Sequence, residues 1–273
     1  MTTAAEKVAV ATKTEVTGPV AGRTVLVTGG SRGIGAAAAL CCAELGFDVV
    51  VNYTRDAGAA QAVVGRVVAL GRRAIALQAD VSVEAQVLAM FAQLDAAQAD
   101  ARIAPLHGLV NNAGVVDRAA RVEQIDAARL QRMFAINVFG SFLCAREAVK
   151  RLSTRHGGPG GAIVNLSSAA ARLGGAGQYV DYAAAKGAID TFTTGLAREV
   201  AAEGIRVNAV RPGIIETDIH ASGGQPDRAQ QLAPQVPMQR AGTADEVGRA
   251  IAWLISDAAS YTTGSLLDVT GGR

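Results

Sequence analysis

The chain has 273 residues, half of them hydrophobic and 4% aromatic, and its 26 basic and 24 acidic residues leave a net charge of +2. That length can bury a substantial core in one large domain or two small ones. The near-neutral balance excludes a strongly basic nucleic-acid or membrane-surface footprint, and no apolar segment is long enough to span a bilayer.

Residues 1–20 mix Thr, Ala, Val, Glu and Lys without the apolar centre of a signal peptide and read as a flexible tail, and residues 21–273 read as one domain. The first apolar run, Val25-Leu26-Val27, leads into Thr28-Gly29-Gly30-Ser31-Arg32-Gly33-Ile34-Gly35 and then the alanine-rich stretch Ala36 to Leu45. A strand, a glycine turn and a helix in that order can hold a diphosphate. Glycines let the backbone approach a ligand closely, and the free N–H groups and dipole at the helix start attract negative charge. The spacing departs from the strict G-x-G-x-x-G pattern, so on this motif alone a plain tight turn stays open. Cys41, Cys42 and Cys144 lack metal-ligand spacing and read as small buried thiols in a reducing cytoplasm.

Further apolar runs follow at Val49 to Val51, Ala74 to Gln78, Gly108 to Asn111, Ala162 to Leu166, Val207 to Val210 and Leu266 to Val269. The intervening segments are long enough for crossover helices. The expected fold class is therefore α/β, a Rossmann-type doubly wound parallel sheet of seven strands with helices on both faces. Ligands of such sheets sit beyond the carboxyl ends of the strands. That rule selects Thr28 to Gly35, Asn52 to Arg55, Asp80-Val81, Asn111 to Gly114, Ser167-Ser168 and Pro212 to Thr217.

Tyr182-Ala183-Ala184-Ala185-Lys186 opens a stretch, running to about Glu203, that reads as a long helix. Tyr182 and Lys186 share a face of it, with about 6 Å of rise between them. An ammonium at that distance favours the phenolate of a tyrosine whose solution pKa is about 10, too high for easy proton transfer at neutral pH. An ordinary amphipathic helix, with its tyrosine packed and its lysine solvated, has the same spacing. Tyr179, a second tyrosine, lies about 10.5 Å of helical rise from Lys186, too far for direct pairing.

The glycine turn, Asn111-Asn112-Ala113-Gly114, Ser167-Ser168, the Tyr182/Lys186 pair and Pro212-Gly213-Ile214-Ile215-Glu216-Thr217 occur in this order at successive strand ends. Together they resemble the short-chain dehydrogenase/reductase family, in its compact single-domain branch, over roughly residues 22 to 273. The resemblance implies that Tyr182 is the proton donor and acceptor, and that Lys186 lowers its pKa and holds the nicotinamide ribose. It implies that Asn137 sustains a relay water and that Ser168 orients the substrate oxygen. Ser168 to Tyr182 spans fourteen positions where the family usually has thirteen, so an extra residue is expected around Gln178-Tyr179-Val180, with Ser167 as the alternative serine. The two serines should point to opposite faces of the strand end.

The resemblance also implies a cofactor site at Gly29, Ser31, Arg32, Gly33, Ile34 and Gly35, at Asn52, Tyr53 and Arg55, and at Asp80 and Val81. It continues through Asn112, Ala113 and Gly114 to Pro212, Gly213, Ile215 and Thr217. A carboxylate after the second strand would select NAD(H), whereas arginine accommodates the extra phosphate of NADP(H). With Asn52, Tyr53 and Arg55 there and Arg32 in the turn, NADP(H) is expected and NAD(H) stays open. The expected reaction is hydride transfer between nicotinamide C4 and a carbonyl or secondary alcohol such as a sugar, polyol or 3-oxoacyl compound. A non-catalytic dinucleotide-binding regulator is the alternative. The stretch from Asp218 to Val236 corresponds to the family's substrate lid and contains His220, which reads either as a surface residue or as a substrate contact. No histidine, cysteine and carboxylate cluster suggests a catalytic metal. A cytoplasmic homotetramer is implied, with Gln124 to Lys150, Tyr179 to Glu203 and the last strand in its interfaces, and no nucleic-acid or membrane partner.

Overall fold

Alternation of buried runs with helical stretches produces the expected sheet. The computed structural model describes residues 22–218 and 223–273, so the expected tail over residues 1–20 and the position of His220 lie outside the described residues. In chain order the strands are β1 (Thr24–Val27), β2 (Asp48–Tyr53), β3 (Ala74–Gln78), β4 (Leu106–Asn111), β5 (Gly161–Leu166), β6 (Ile205–Pro212) and β7 (Leu266–Val269). They pair in the order β3-β2-β1-β4-β5-β6-β7, every neighbour parallel. Strand order reverses between β1 and β4, which leaves a crevice beyond their carboxyl ends.

Several strands run further than the apolar runs suggest. β2 begins at Asp48 and ends at Tyr53, and β6 extends from Ile205 to Pro212. The added positions include polar residues that find partners inside the protein. Asp48 accepts hydrogen bonds from Arg72, Arg73 and the Ala104 amide, and the Asn52 amide is bonded on both sides. A polar residue with satisfied hydrogen bonds continues a buried strand without the cost that hydrophobicity alone would assign it.

Strand periodicity divides the core. Val25, Val27, Val49 and Val51 pack on one face with Ala39, Cys42, Val247 and Ile251, while Leu26, Val50, Leu109 and Ile163 pack on the other with Phe91, Leu94, Cys144 and Ala148. Three helices cover the first face: α1 (Gly33–Glu44), α2 (Ala57–Ala69) and the late helix Ala244–Ile255. The opposite face carries α3 (Glu84–Ala99), a long interrupted helix made of α4 (Ala127–Phe134) and α5 (Gly140–Leu152), and a helix over Val180–Val200. A π-turn at Ala135–Phe139 joins α4 to α5 and holds Asn137. A four-residue helix, α6 (Ala170–Leu173), precedes α7 (Val180–Val200), and α8 (Arg228–Leu232) precedes α9 (Ala244–Ile255). All three cysteines are buried. No helix among the described residues is long and apolar enough to cross a membrane.

α1 carries the glycine turn at its start, and α9 fixes its position. A Cβ added at Gly248 of α9 would lie 2.9 Å from the carbonyl carbon of Ala37, so the two backbones meet where only glycine fits. Gly248→Val is expected to lower unfolding free energy by about 1–3 kcal/mol through this overpacking, read as a lower urea midpoint at unchanged slope.

Candidate active site

The turn after β1 needs glycine for two reasons, positive φ at some positions and close approach at others. Gly29 and Gly33 take φ of +59° and +53°. A Cβ at Gly35 would lie 2.3 Å from the Gly29 carbonyl oxygen and 2.4 Å from Asn112 Nδ2. Arg32 precedes α1 in extended conformation, and no side chain caps that helix start. Asp56, Asp126 and Thr243 do cap α2, α4 and α9. The α1 amides therefore remain available to an anion, and the first turn carries no acid to compete for them.

Across the crevice, Asn112 at the end of β4 locks this turn. Its Nδ2 donates to the carbonyls of Thr28 and Gly29 at 2.9 and 3.0 Å. Thr28 Oγ1 in turn accepts from the amides of Asn112 and Ala113, both at 3.0 Å. Asn52 lies beneath the turn, where its Oδ1 accepts from the Gly29 amide and its Nδ2 donates to the carbonyls of Leu77 and Ala79. Its amide thus shapes the turn from inside, at 1% exposure. Arg32 and Arg55 are exposed beside it, and Asp56, the adjacent acid, caps α2 through Oδ1. Asp80 Oδ1 accepts from the Ser82 amide and hydroxyl at the end of β3. Val81 is buried against Gly140, where a Cβ would meet its side chain at 2.6 Å.

Beyond β5 the two serines separate as the strand pattern requires. Ser167 is buried and its hydroxyl donates to the Lys186 carbonyl, whereas Ser168 Oγ accepts from the Ala170 amide and lines the cavity with Tyr182. The fourteen-residue spacing is accommodated between α6 and α7, where Gly174, Gly175 and Gly177 all take positive φ. Val180, within the segment expected to hold the extra residue, is already helical. Tyr182 and Lys186 stand one turn apart in α7, with Lys186 Nζ 5.6 Å from the tyrosine ring centre. That ammonium donates to the Leu166 carbonyl at 2.7 Å.

The charge state differs from the expected depression of the tyrosine pKa. Burial pushes the Tyr182 phenol up to about 12, with the Ser168 hydroxyl opposing it. Burial likewise brings Lys186 down to about 8, opposed by the carboxylate of Asp190. Desolvation acts against both charged forms, and the ammonium is turned toward Leu166 rather than toward the phenol oxygen.

Asn137 is held in the π-turn by hydrogen bonds from Nδ2 to the carbonyls of Val115 and Met133, while its Oδ1 accepts from the Val115 amide. A π-turn within a helix redirects one residue, a geometry frequent at functional sites. Gly114 fits between this side chain and Lys186, since a Cβ there would lie 2.7 Å from Asn137 Oδ1.

One cavity of about 380 Å³ gathers Asn137, Ser168, Tyr182 and Lys186 with Ile34, Asn112 and Gly114. Pro212, Gly213, Ile215 and Thr217 close it from the β6 end. Gly29, Ser31, Arg32, Gly33, Gly35, Tyr53, Arg55, Asp80, Val81 and Ala113 do not line this cavity but lie along the strand ends and turn beside it. No group of histidine, cysteine, aspartate or glutamate among the described residues could hold a metal.

Three features of the site have no local signal in the sequence. Tyr179, considered only as a rival to Tyr182, lines the cavity, as do Arg228 and Arg273. Asp181, next to Tyr182, is buried and forms a two-pronged ion pair with Arg129 of α4, at 2.7 and 3.1 Å. Their separation along the chain hides that pair until the fold brings α4 against α7. Removing Asp181 leaves the buried Arg129 guanidinium with the Arg118 carbonyl but without its hydrogen-bonded carboxylate, so Asp181→Ala is expected to cost about 3 kcal/mol of stability, measured by urea unfolding.

Comparison with known proteins bears on the same region. The family model described as enoyl-(acyl carrier protein) reductase matches residues 29–273. The Escherichia coli oxidoreductase YgfF is 56% identical, over 91% of this chain and 98% of its own length. An Arabidopsis thaliana NADPH-dependent aldehyde reductase-like protein of the chloroplast is 38% identical, over 93% and 95%. Among solved structures, a short chain dehydrogenase from Burkholderia cenocepacia in complex with NADP superposes with a TM-score of 0.80 at 35% identity, covering 93% of this chain and 98% of that one.

Proposed function

The chain belongs to the short-chain dehydrogenase/reductase family of oxidoreductases, and from that premise we propose that it is an NADP(H)-dependent carbonyl reductase in which Tyr182 moves the proton. The observation that carries this reading is that Ser168 and Tyr182 line one cavity with buried Lys186, one helical turn from Tyr182, and with Asn112 and Ile34.

The glycine turn fits a dinucleotide. Its uncapped α1 amides suit the diphosphate, and the collision awaiting any side chain at Gly35 marks a cradle that only backbone can form. Arg32 and Arg55, exposed and without an ion pair among the described residues, suit a 2′-phosphate. That preference agrees with the NADP held by the Burkholderia relative and the cofactor in the name of the Arabidopsis one. Asp80 and Val81 would flank the adenine, Gly114 and Lys186 the ribose, and Thr217 the carboxamide. When bound, the cofactor supplies the hydride.

The protein's own part is to hold the substrate oxygen and move one proton. The Ser168 hydroxyl holds the carbonyl oxygen beside Tyr182. At neutral pH the phenol carries its proton, as its value of about 12 requires, so Tyr182 is poised as a general acid toward that oxygen. Lys186, near 8, still carries most of its charge and offsets the negative charge left on Tyr182, while Asn137 lies on the route by which the proton is replaced. A non-catalytic regulator would require the turn but none of these four residues. The same reading assigns a homotetramer, with the exposed Phe139 and Phe142 covered by another copy, and a monomer by light scattering contradicts it.

Tyr182→Phe is expected to lower carbonyl reduction by about 100- to 10,000-fold, read at 340 nm, while NADPH binding persists. A Phe variant of full activity refutes the assignment. Arg32→Ala and Arg55→Ala are each expected to lower the NADPH-to-NADH ratio of kcat/KM about tenfold, and a wild-type ratio near one refutes the cofactor preference. Reduction is expected to be level through neutral pH and to fall above about pH 8, as Lys186 loses the proton whose charge supports the departing one. A profile level to pH 10 contradicts that role.

A further inference from the structure

Three cationic side chains, Lys186, Arg228 and Arg273, line the cavity, and no aspartate or glutamate among the described residues does. Lys186 belongs to the catalytic group. Arg228 is bonded to Gln178 and lies over Tyr179, in the loop between α6 and α7, and Arg273 is held by Arg172 of α6, so both meet the cavity around α6 and the loop that follows it.

Neighbouring arginines show what is unusual about them. Arg172 pairs with Asp268, Arg211 with Asp190, and Arg240 with Glu246. Neither the Arg228 nor the Arg273 guanidinium has an aspartate or glutamate partner among the described residues. Arg228 is instead fixed by neutral groups: Nη1 donates to Gln225 Oε1 at 2.7 Å, Nη2 to Gln178 Oε1 at 2.8 Å, and the guanidinium lies 5.1 Å over the Tyr179 ring. Such partners hold the group in place without cancelling its charge. Arg273 Nη1 is buried and has no hydrogen-bond acceptor among the described residues. Its main-chain oxygen accepts from the Arg172 guanidinium at 3.0 Å, which holds residue 273 in place. A buried guanidinium nitrogen without an acceptor is costly unless an incoming group supplies one.

We infer that Arg228 and Arg273 form an anion-recognising end of the substrate cavity, so that the preferred substrate is a carbonyl compound bearing a carboxylate remote from the reacting carbon. Oriented guanidinium forks match carboxylate geometry and discriminate strongly against neutral analogues. The apolar side chains of Leu173 and Ile214 line the same cavity and suit the uncharged body between the two polar ends. This assignment rests on the reductase reading for the reacting end only, since the charge preference is a property of binding.

The test compares 4-carboxybenzaldehyde with 4-carbamoylbenzaldehyde, which differ chiefly in charge, on wild type, Arg228→Gln, Arg273→Gln and the double variant. Affinity is read by calorimetry with and without NADP+, and turnover by NADPH oxidation. Wild type is expected to bind the acid at least about tenfold more tightly than the amide, with the ratio falling about tenfold for each arginine removed. Arg228→Lys, which keeps the charge but loses the fork, is expected to fall between. A wild-type ratio near one, no measurable binding of the acid, or a ratio retained in the double variant overturns the inference. Failure to reduce either aldehyde, with the acid still bound selectively, counts against the reductase reading alone.

Discussion

Four hydrogen bonds between Thr28-Gly29 and Asn112-Ala113 hold the glycine turn after β1 against the end of β4. They cross the point where strand order reverses, at which the ends of β1 and β4 would otherwise diverge. Each partner satisfies the other's backbone groups, and Asn52 adds an acceptor for the Gly29 amide from beneath the turn. Their closeness explains why position 35 must be glycine: Asn112 Nδ2 already occupies the space that a Cβ would take. Once that junction is set, α1 presents its uncapped start beside the cavity that holds Tyr182 and Lys186.

Burial then decides the chemistry. Tyr182 and Lys186 are both shifted toward their neutral forms, the phenol up and the amine down. A site arranged this way keeps a proton on tyrosine and a movable charge on lysine, which suits delivery of a proton to a carbonyl oxygen. Ser168 counters burial by lowering the Tyr182 pKa, so in the proposed reaction the hydroxyl that orients substrate also eases proton release. The Arg129–Asp181 pair holds the start of α7 against α4, and with it the spacing between Tyr182 and the π-turn that carries Asn137.

Much of this was legible in the sequence. Apolar runs located all seven strands, because a parallel sheet covered on both faces needs continuous hydrophobic segments. Spacing alone put Tyr182 and Lys186 on one face of a helix, and strand alternation separated Ser167 from Ser168. Strand ends were underestimated where Asp48, Asn52 and Arg206 continue them, since their partners are remote in the chain. The π-turn was not legible because one extra residue within a helix leaves its apolar periodicity almost unchanged. The pKa of Tyr182 ran opposite to expectation because spacing reports the neighbouring ammonium but not the burial that outweighs it. Arg228 and Arg273 were missed because what distinguishes them is the absence of a carboxylate in space, which no spacing encodes.

The central claim is that this cavity passes hydride to a carbonyl carbon while Tyr182 protonates the oxygen. Its most direct measurement is the fate of the label when NADPH deuterated at C4 is incubated with the protein and an aldehyde it reduces, followed by NMR of the alcohol. The account predicts one deuterium on the carbinol carbon from one of the two C4-deuterated epimers and none from the other. An alcohol that carries no deuterium from either epimer would contradict it.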